Sequence, residues 1–168
     1  EETYNYLTQS KFYKKAIDGI KNSVKHKIPS SVYHVINKEN YKNLINFIKF
    51  IQSISPKIDF AFAFLRPNGN TLKNSQIVPK LTEIEPYIYE MFAYLISQDI
   101  DCQLEGVPLC YMLGFEKNSA ETCRMKQPSV NYISEGKIRH LSLHQFINNS
   151  LKRKSTSCNI CKLNSFCA

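Results

Sequence analysis

Apolar residues recur along this chain in two kinds of block, and the two kinds alternate. Residues 11–25 carry Phe12, Ala16, Ile20 and Val24 at four-residue spacing with lysines between them. That spacing predicts an amphipathic helix. Ser31-Val-Tyr-His-Val-Ile36 follows Pro29 and is rich in β-branched and aromatic residues, which predicts a short strand. Tyr41, Leu44, Ile45, Ile48 and Ile51 then form a helical stripe, with Asn37 or Asn40 available as its cap. Beyond Pro56, Ile58-Asp-Phe-Ala-Phe-Ala-Phe-Leu65 is almost continuously apolar. Such a run reads as a strand buried on both faces, the kind found in parallel sheets covered by helices. Arg66-Pro-Asn-Gly69 ends it, and a looser stretch runs to Lys80.

Thr82 and Glu85 have capping-box spacing, with Pro86 in the first turn of a helix whose inner face is Tyr87, Ile88, Met91, Phe92 and Leu95. Ile100–Leu104 reads as a further strand, stopped by Gly106 and Pro108. Helix and strand alternating three times predicts an α/β fold of right-handed crossovers with parallel strands. The pattern fails after Cys110. Residues 111–129 have no period. Val130-Asn-Tyr-Ile133 and Lys137-Ile-Arg139 suggest a hairpin across Gly136, and 143–157 read as short helix or loop. Domain organisation follows as residues 1–110 and a small, irregular, cysteine-rich extension over 111–168.

The densest chemistry lies in the tail, where Cys158-Asn-Ile-Cys161 is followed by Cys167. Two cysteines at this spacing can put both thiolates on one ion or cluster, and zinc and iron–sulfur clusters alike take four ligands. Cys110, at the end of the apolar, strand-like Gly106-Val-Pro-Leu-Cys110, is the first candidate for the fourth place; Cys123, His140 and His144 are the alternatives. Residue types leave zinc and iron–sulfur open. Cys102 reads as a small core residue within its strand. Six cysteines would also permit three disulfides, but they crowd into the last third of a chain with enough apolar periodicity to fold unstapled, which points to a reducing compartment.

Composition narrows the partners. A net charge of +8 suits a polyanion, yet eighteen Lys against four Arg are spread along the chain, a poor bias for bidentate reading of phosphates or bases. The Lys152-Arg-Lys154 run reads as a solvated surface or as a counter-charge to bound thiolates. No stretch has the apolar length of a membrane span. The first residue is Glu and a metal loop falls at the last, so the chain reads as a piece of a longer protein. Gly-rich phosphate loops, nucleophile elbows and HExxH are absent from the sequence. The carboxyl ends of the strands (Asn37 with Asn40, Arg66–Gly69, Glu105–Leu109) read as caps, turns and strand stops as readily as ligand contacts. His34 reads as a hydrogen-bonded interior side chain.

Taken in order, these segments resemble the carboxyl-terminal part of a radical S-adenosylmethionine enzyme with an auxiliary iron–sulfur domain of the SPASM/Twitch kind. Thr3-Tyr-Asn-Tyr-Leu-Thr8 and Ala16-Ile-Asp-Gly-Ile20 look like the lead into the barrel's third helix. Val35-Ile-Asn37-Lys-Glu-Asn40-Tyr-Lys-Asn-Leu44 is similar to its fourth strand and following helix. Phe60–Gly69 is similar to the fifth strand, and Leu104–Cys110 to the sixth with the first auxiliary cysteine. The resemblance implies part of a (β/α)6 TIM-like barrel and a parent oxidoreductase or maturase that generates a 5′-deoxyadenosyl radical and acts on a peptide or protein. It implies S-adenosylmethionine near Asn37 and Asn40, with backbone around Phe62, Phe64 and Val107 on the adenine side. It further implies an auxiliary [4Fe–4S] cluster on Cys110, Cys158, Cys161 and Cys167, a flavodoxin or ferredoxin as reductant, and a cytoplasmic setting. The family's CxxxCxxC loop occurs nowhere in the 168 residues, so this segment alone is expected to be inactive. The competing reading is a non-enzymatic binding module stabilised by zinc or a cluster.

Overall fold

A computed structural model describes residues 1–67, 69–124, 130–141, 154–165 and 167. The chain divides into two compact units, Glu1–Gln103 and Leu104–Ala168. In sequence, Cys110 therefore falls into the same unit as the cysteine tail, not with residues 1–103.

The first unit is mixed α/β. Helices α1 (Glu2–Thr8) and α2 (Tyr13–Lys25) precede β1 (Ser31–Ile36). Next come α3 (Leu44–Ile54), β2 (Asp59–Phe64), the short α4 (Asn70–Lys73), α5 (Leu81–Ser97) and β3 (Cys102–Glu105), whose last two residues belong to the second unit. The three strands form one parallel sheet in the order β1-β2-β3. Register in β1 and β2 pairs Val32 with Phe60, His34 with Phe62 and Ile36 with Phe64. Those side chains share a face, and His34 stacks on Phe47 of α3, so this is the face that α3 covers. α3 and α5 lie side by side, joined by the Tyr94 hydroxyl donating to Gln52 Oε1 at 3.0 Å and flanked by the Tyr41–Tyr87 edge-to-face pair at 5.1 Å.

Apolar periodicity explains the core. Leu44, Ile48 and Ile51 of α3, Ile84, Ile88, Met91, Phe92 and Leu95 of α5, and Phe60 and Phe62 of β2 are buried. The opposite face of β1 is not closed: Tyr33 is 58% and Val35 38% exposed, on a strand that forms the edge of the sheet. None of α2 is fully buried, and Phe12, expected on its inner stripe, is 58% exposed.

Local signals shifted in three places. α5 starts at Leu81, because the Glu83 carboxylate accepts the Lys80 N–H at 3.1 Å; the Thr82–Glu85 box does not form the start, and Pro86 lies inside the helix. Asn37 and Asn40 do not cap α3, which begins at Leu44 behind a 3-10 turn, Tyr41–Asn43; Asn40 stands at the N-cap of that turn without a side-chain cap bond. The stretch before Lys80 contains α4 and a second 3-10 turn, Ser75–Ile77, whose Ile77 carbonyl accepts the Lys38 N–H at 2.8 Å.

The second unit opens with Leu104, which makes an isolated parallel bridge to Ser119. It continues through 3-10 turns at Leu109–Tyr111 and Glu116–Asn118 to α6 (Ala120–Arg124). Strands β4 (Val130–Ser134) and β5 (Lys137–Leu141) then form the expected antiparallel hairpin. Its two-residue turn places Glu135 at φ 52° and Gly136 at φ 71°, the left-handed pair that a tight hairpin needs. No helix among the described residues is long and apolar enough to cross a membrane.

Candidate metal centre

Cys110 owes its position to its neighbours. Gly106 turns the chain out of β3 at φ +82°, a conformation that favours glycine. The 3-10 turn that follows closes through Tyr111 N–H to the Pro108 carbonyl and Met112 N–H to the Leu109 carbonyl, both at 2.9 Å. Val107, Leu109 and Met112 are buried, whereas Cys110 between them is exposed. The sequence suggested that Cys110 ends a strand. It sits instead in the middle of a single 3-10 turn, because Pro108 cannot donate to a sheet ladder.

The tail is a succession of tight turns, each fastened at a cysteine. Cys158 N–H donates to the Ser155 carbonyl at 3.0 Å within the 3-10 turn Thr156–Ile160, and Cys161 N–H to the Cys158 carbonyl at 3.2 Å. Asn164 N–H donates to the Cys161 carbonyl at 3.1 Å, and Cys167 N–H to the Leu163 carbonyl at 2.8 Å. All three cysteines are half-buried and outside any disulfide, while Ile160 points almost wholly into solvent. The Ser155 hydroxyl lies 3.6 Å from Cys158 Sγ. Lys154 Nζ donates to both the main-chain oxygen and Oδ1 of Asn164, at 2.7 Å each. In the sequence Lys154 reads only as part of a basic run and nothing marks Asn164, since a contact across ten residues leaves no periodic trace.

Electrostatics couple Cys110 to the tail. Partial burial pushes the Cys110 thiol above its ordinary value; negative charge on Cys167, then on Cys161 and Cys158, pushes it further, against a lowering by its own backbone N–H. A cation or a cluster beside Cys110 would relieve that repulsion. Four soft sulfur donors suit zinc or an iron–sulfur cluster. Among the described residues, no three or more His, Cys, Asp or Glu side chains stand together as a ready-made metal-holding group. Cys102 is apart from this set: buried in β3, its thiol is pushed up to about 12, by burial first and by Asp101 second. His140 is exposed and engaged with Asn131 Oδ1 at 2.6 Å in the hairpin. The Cys123 side chain, His144, Lys152, Arg153 and Phe166 lie outside what is described.

The residues implied to meet S-adenosylmethionine divide. Asn37 is buried; its Oδ1 accepts the Glu39 N–H at 2.9 Å and its Nδ2 donates to the Val35 carbonyl at 3.1 Å. Asn40 Oδ1 accepts the Asn37 N–H and its Nδ2 donates to the same Val35 carbonyl, both at 2.9 Å. Both amides thus close the carboxyl end of β1, as short polar side chains do in turns. Phe62 is buried in the core and Phe64 half-buried. Val107 is buried in the second unit.

The first unit also holds a cavity of about 1070 Å³, lined by Tyr13, Ile17, His34, Asn37, Asn40 and Phe47 among others. The sequence gives His34 as hydrogen-bonded. Its Nε2 is instead buried with no partner, and burial lowers the imidazole to about 4. No protein-family model, curated protein or solved structure matches the chain.

Proposed function

We propose that this chain is part of a radical S-adenosylmethionine enzyme and that Cys110, Cys158, Cys161 and Cys167 hold an auxiliary [4Fe–4S] cluster. One observation carries the reading: four free cysteines lie in one compact unit, three of them on consecutive tight turns at 158, 161 and 167 and the fourth, Cys110, exposed on a turn of its own. Support comes also from the parallel sheet, whose strands alternate with helices as successive staves of a (β/α)6 barrel do, and from the asparagine-closed end of β1 beside a cavity. In this reading Asn37 and Asn40 fix the backbone at the carboxyl end of β1, next to the ribose or methionine part of S-adenosylmethionine. Backbone around Phe62 and Phe64 lies on the adenine side. When bound, the auxiliary cluster supplies electron storage or a substrate anchor. The cysteines would supply four thiolates, three of them carried on consecutive tight turns of the tail. The parent is an oxidoreductase or maturase of the cytoplasm, reduced by a flavodoxin or ferredoxin and acting on a peptide or protein.

Anaerobic reconstitution of the chain with iron and sulfide tests this. The expected product is a brown protein whose broad visible absorbance bleaches with dithionite and is lost on Cys110→Ala. A colourless stoichiometric zinc complex that excludes iron, or a chromophore indifferent to Cys110→Ala, overturns it. Reconstituted chain should form no 5′-deoxyadenosine from S-adenosylmethionine, because all four cysteines are committed away from cofactor cleavage.

A further inference from the structure

We infer that Lys154 is a positioning residue for the cysteine site: through Asn164 it clamps the tail loop, so that the turns bearing Cys158, Cys161 and Cys167 are fastened to one another before a metal arrives and lose less freedom when it does. The inference rests on the four-thiolate reading above and adds a residue that is not a ligand. Three observations carry it. The Lys154 ammonium reaches two oxygens of one residue, Asn164 O and Oδ1, each at 2.7 Å. Charge-assisted bonds this short are the stronger class of hydrogen bond. Asn164 is also the node of the tail, because its own N–H is fastened to the Cys161 carbonyl and its neighbour Leu163 holds the Cys167 N–H. Finally, Lys154 stands just before the Ser155 carbonyl that holds Cys158 N–H, so the clamp joins the two ends of the turn series.

An exposed lysine contributes little to global folding. Its effect here is local. A loop whose ends are joined loses fewer conformations when its thiols are drawn onto one centre, and partners outside the ligand shell that orient ligands are worth roughly ten- to a hundred-fold in metal affinity. A second role, plain neutralisation of thiolate charge, makes a different demand. It needs the ammonium but not the Asn164 amide.

Co²⁺ alone, titrated anaerobically into the reduced full chain against a competing chelator, separates these roles. Its thiolate charge-transfer and visible ligand-field absorption report site formation directly. Lys154→Met should weaken Co²⁺ binding about ten-fold. Asn164→Ala, which keeps the main-chain oxygen, should lose part of that. The double variant should be no weaker than Lys154→Met, since both substitutions break one clamp. Far-ultraviolet circular dichroism should not move, as Lys154 is exposed. Unchanged affinity in Lys154→Met overturns the clamp. So does loss in Lys154→Met with none in Asn164→Ala, or fully additive losses. Wild-type chain that takes up no Co²⁺ takes down the four-thiolate reading and the clamp with it, whereas tight wild-type binding lost on Cys110→Ala keeps the former whatever becomes of the latter.

Discussion

The His34 imidazole lies against the Phe47 ring with 4.0 Å between centroids and 29° between planes. It meets Phe62 edge-on at 6.0 Å, and its Nε2 is buried without a hydrogen-bond partner. A ring held this way is paid for in acid.

Burial lowers the folded His34 from an ordinary 6.5 to about 4. Above pH 6.5 the ring is neutral in both states and its packing is fully available. As pH falls below 6.5 the unfolded chain takes the proton first, and stability drops until the folded ring titrates near 4, by about 3 kcal/mol at most. Urea midpoints between pH 7 and 4.5 should therefore fall, and His34→Phe, which keeps the stacking, should flatten that slope. An unchanged slope in the variant would show that other groups set the acid response.

Thiol alkylation should proceed in order of exposure. Cys110 is exposed and the tail cysteines half-buried, whereas Cys102 is buried with its thiol pushed up to about 12. Iodoacetamide near neutral pH should modify Cys110 and the tail and leave Cys102 intact until denaturant is added. Because Cys110 is pushed above its usual range, its labelling rate should keep climbing at pH values where an ordinary thiol has levelled off. Peptide mapping by mass spectrometry reads both. Early labelling of Cys102 would contradict its place in the core.

Phe62→Ala should cost about 3–5 kcal/mol, the range for a large aromatic truncated in a packed core. Phe62 is 1% exposed and stacked 6.0 Å from Phe60. Phe50→Ala, at a ring 40% exposed on α3, should cost much less. Chemical denaturation of the two variants side by side checks the contrast.

Val35→Lys should reduce self-association without lowering the melting temperature by more than a few degrees. Val35 is 38% exposed on β1, the edge of the sheet, beside a Tyr33 that is 58% exposed. Charge on an edge strand is a common defence against strand-to-strand pairing. Sedimentation velocity at several concentrations measures the effect, and equal association of both proteins would place the sticky surface elsewhere.

The sequence by itself determined β1 as Ser31–Ile36, the α3 stripe of Leu44, Ile48 and Ile51, the buried β2 and the β4–β5 hairpin. Each is set by side-chain periods of two or near four, or by a turn residue of fixed φ, and such signals are local. It also named the cysteines, because ligand spacing is itself written in the chain. Only tertiary structure decided that Asn37 and Asn40 fasten the end of β1 and not a helix, since their amides had carbonyls and N–H groups of the same turn in reach. It alone set the orphaned nitrogen of His34, which depends on what α3 and β2 bring against β1. It alone joined Lys154 to Asn164, because contacts between residues ten or more apart follow from the path of the backbone, which no local period encodes.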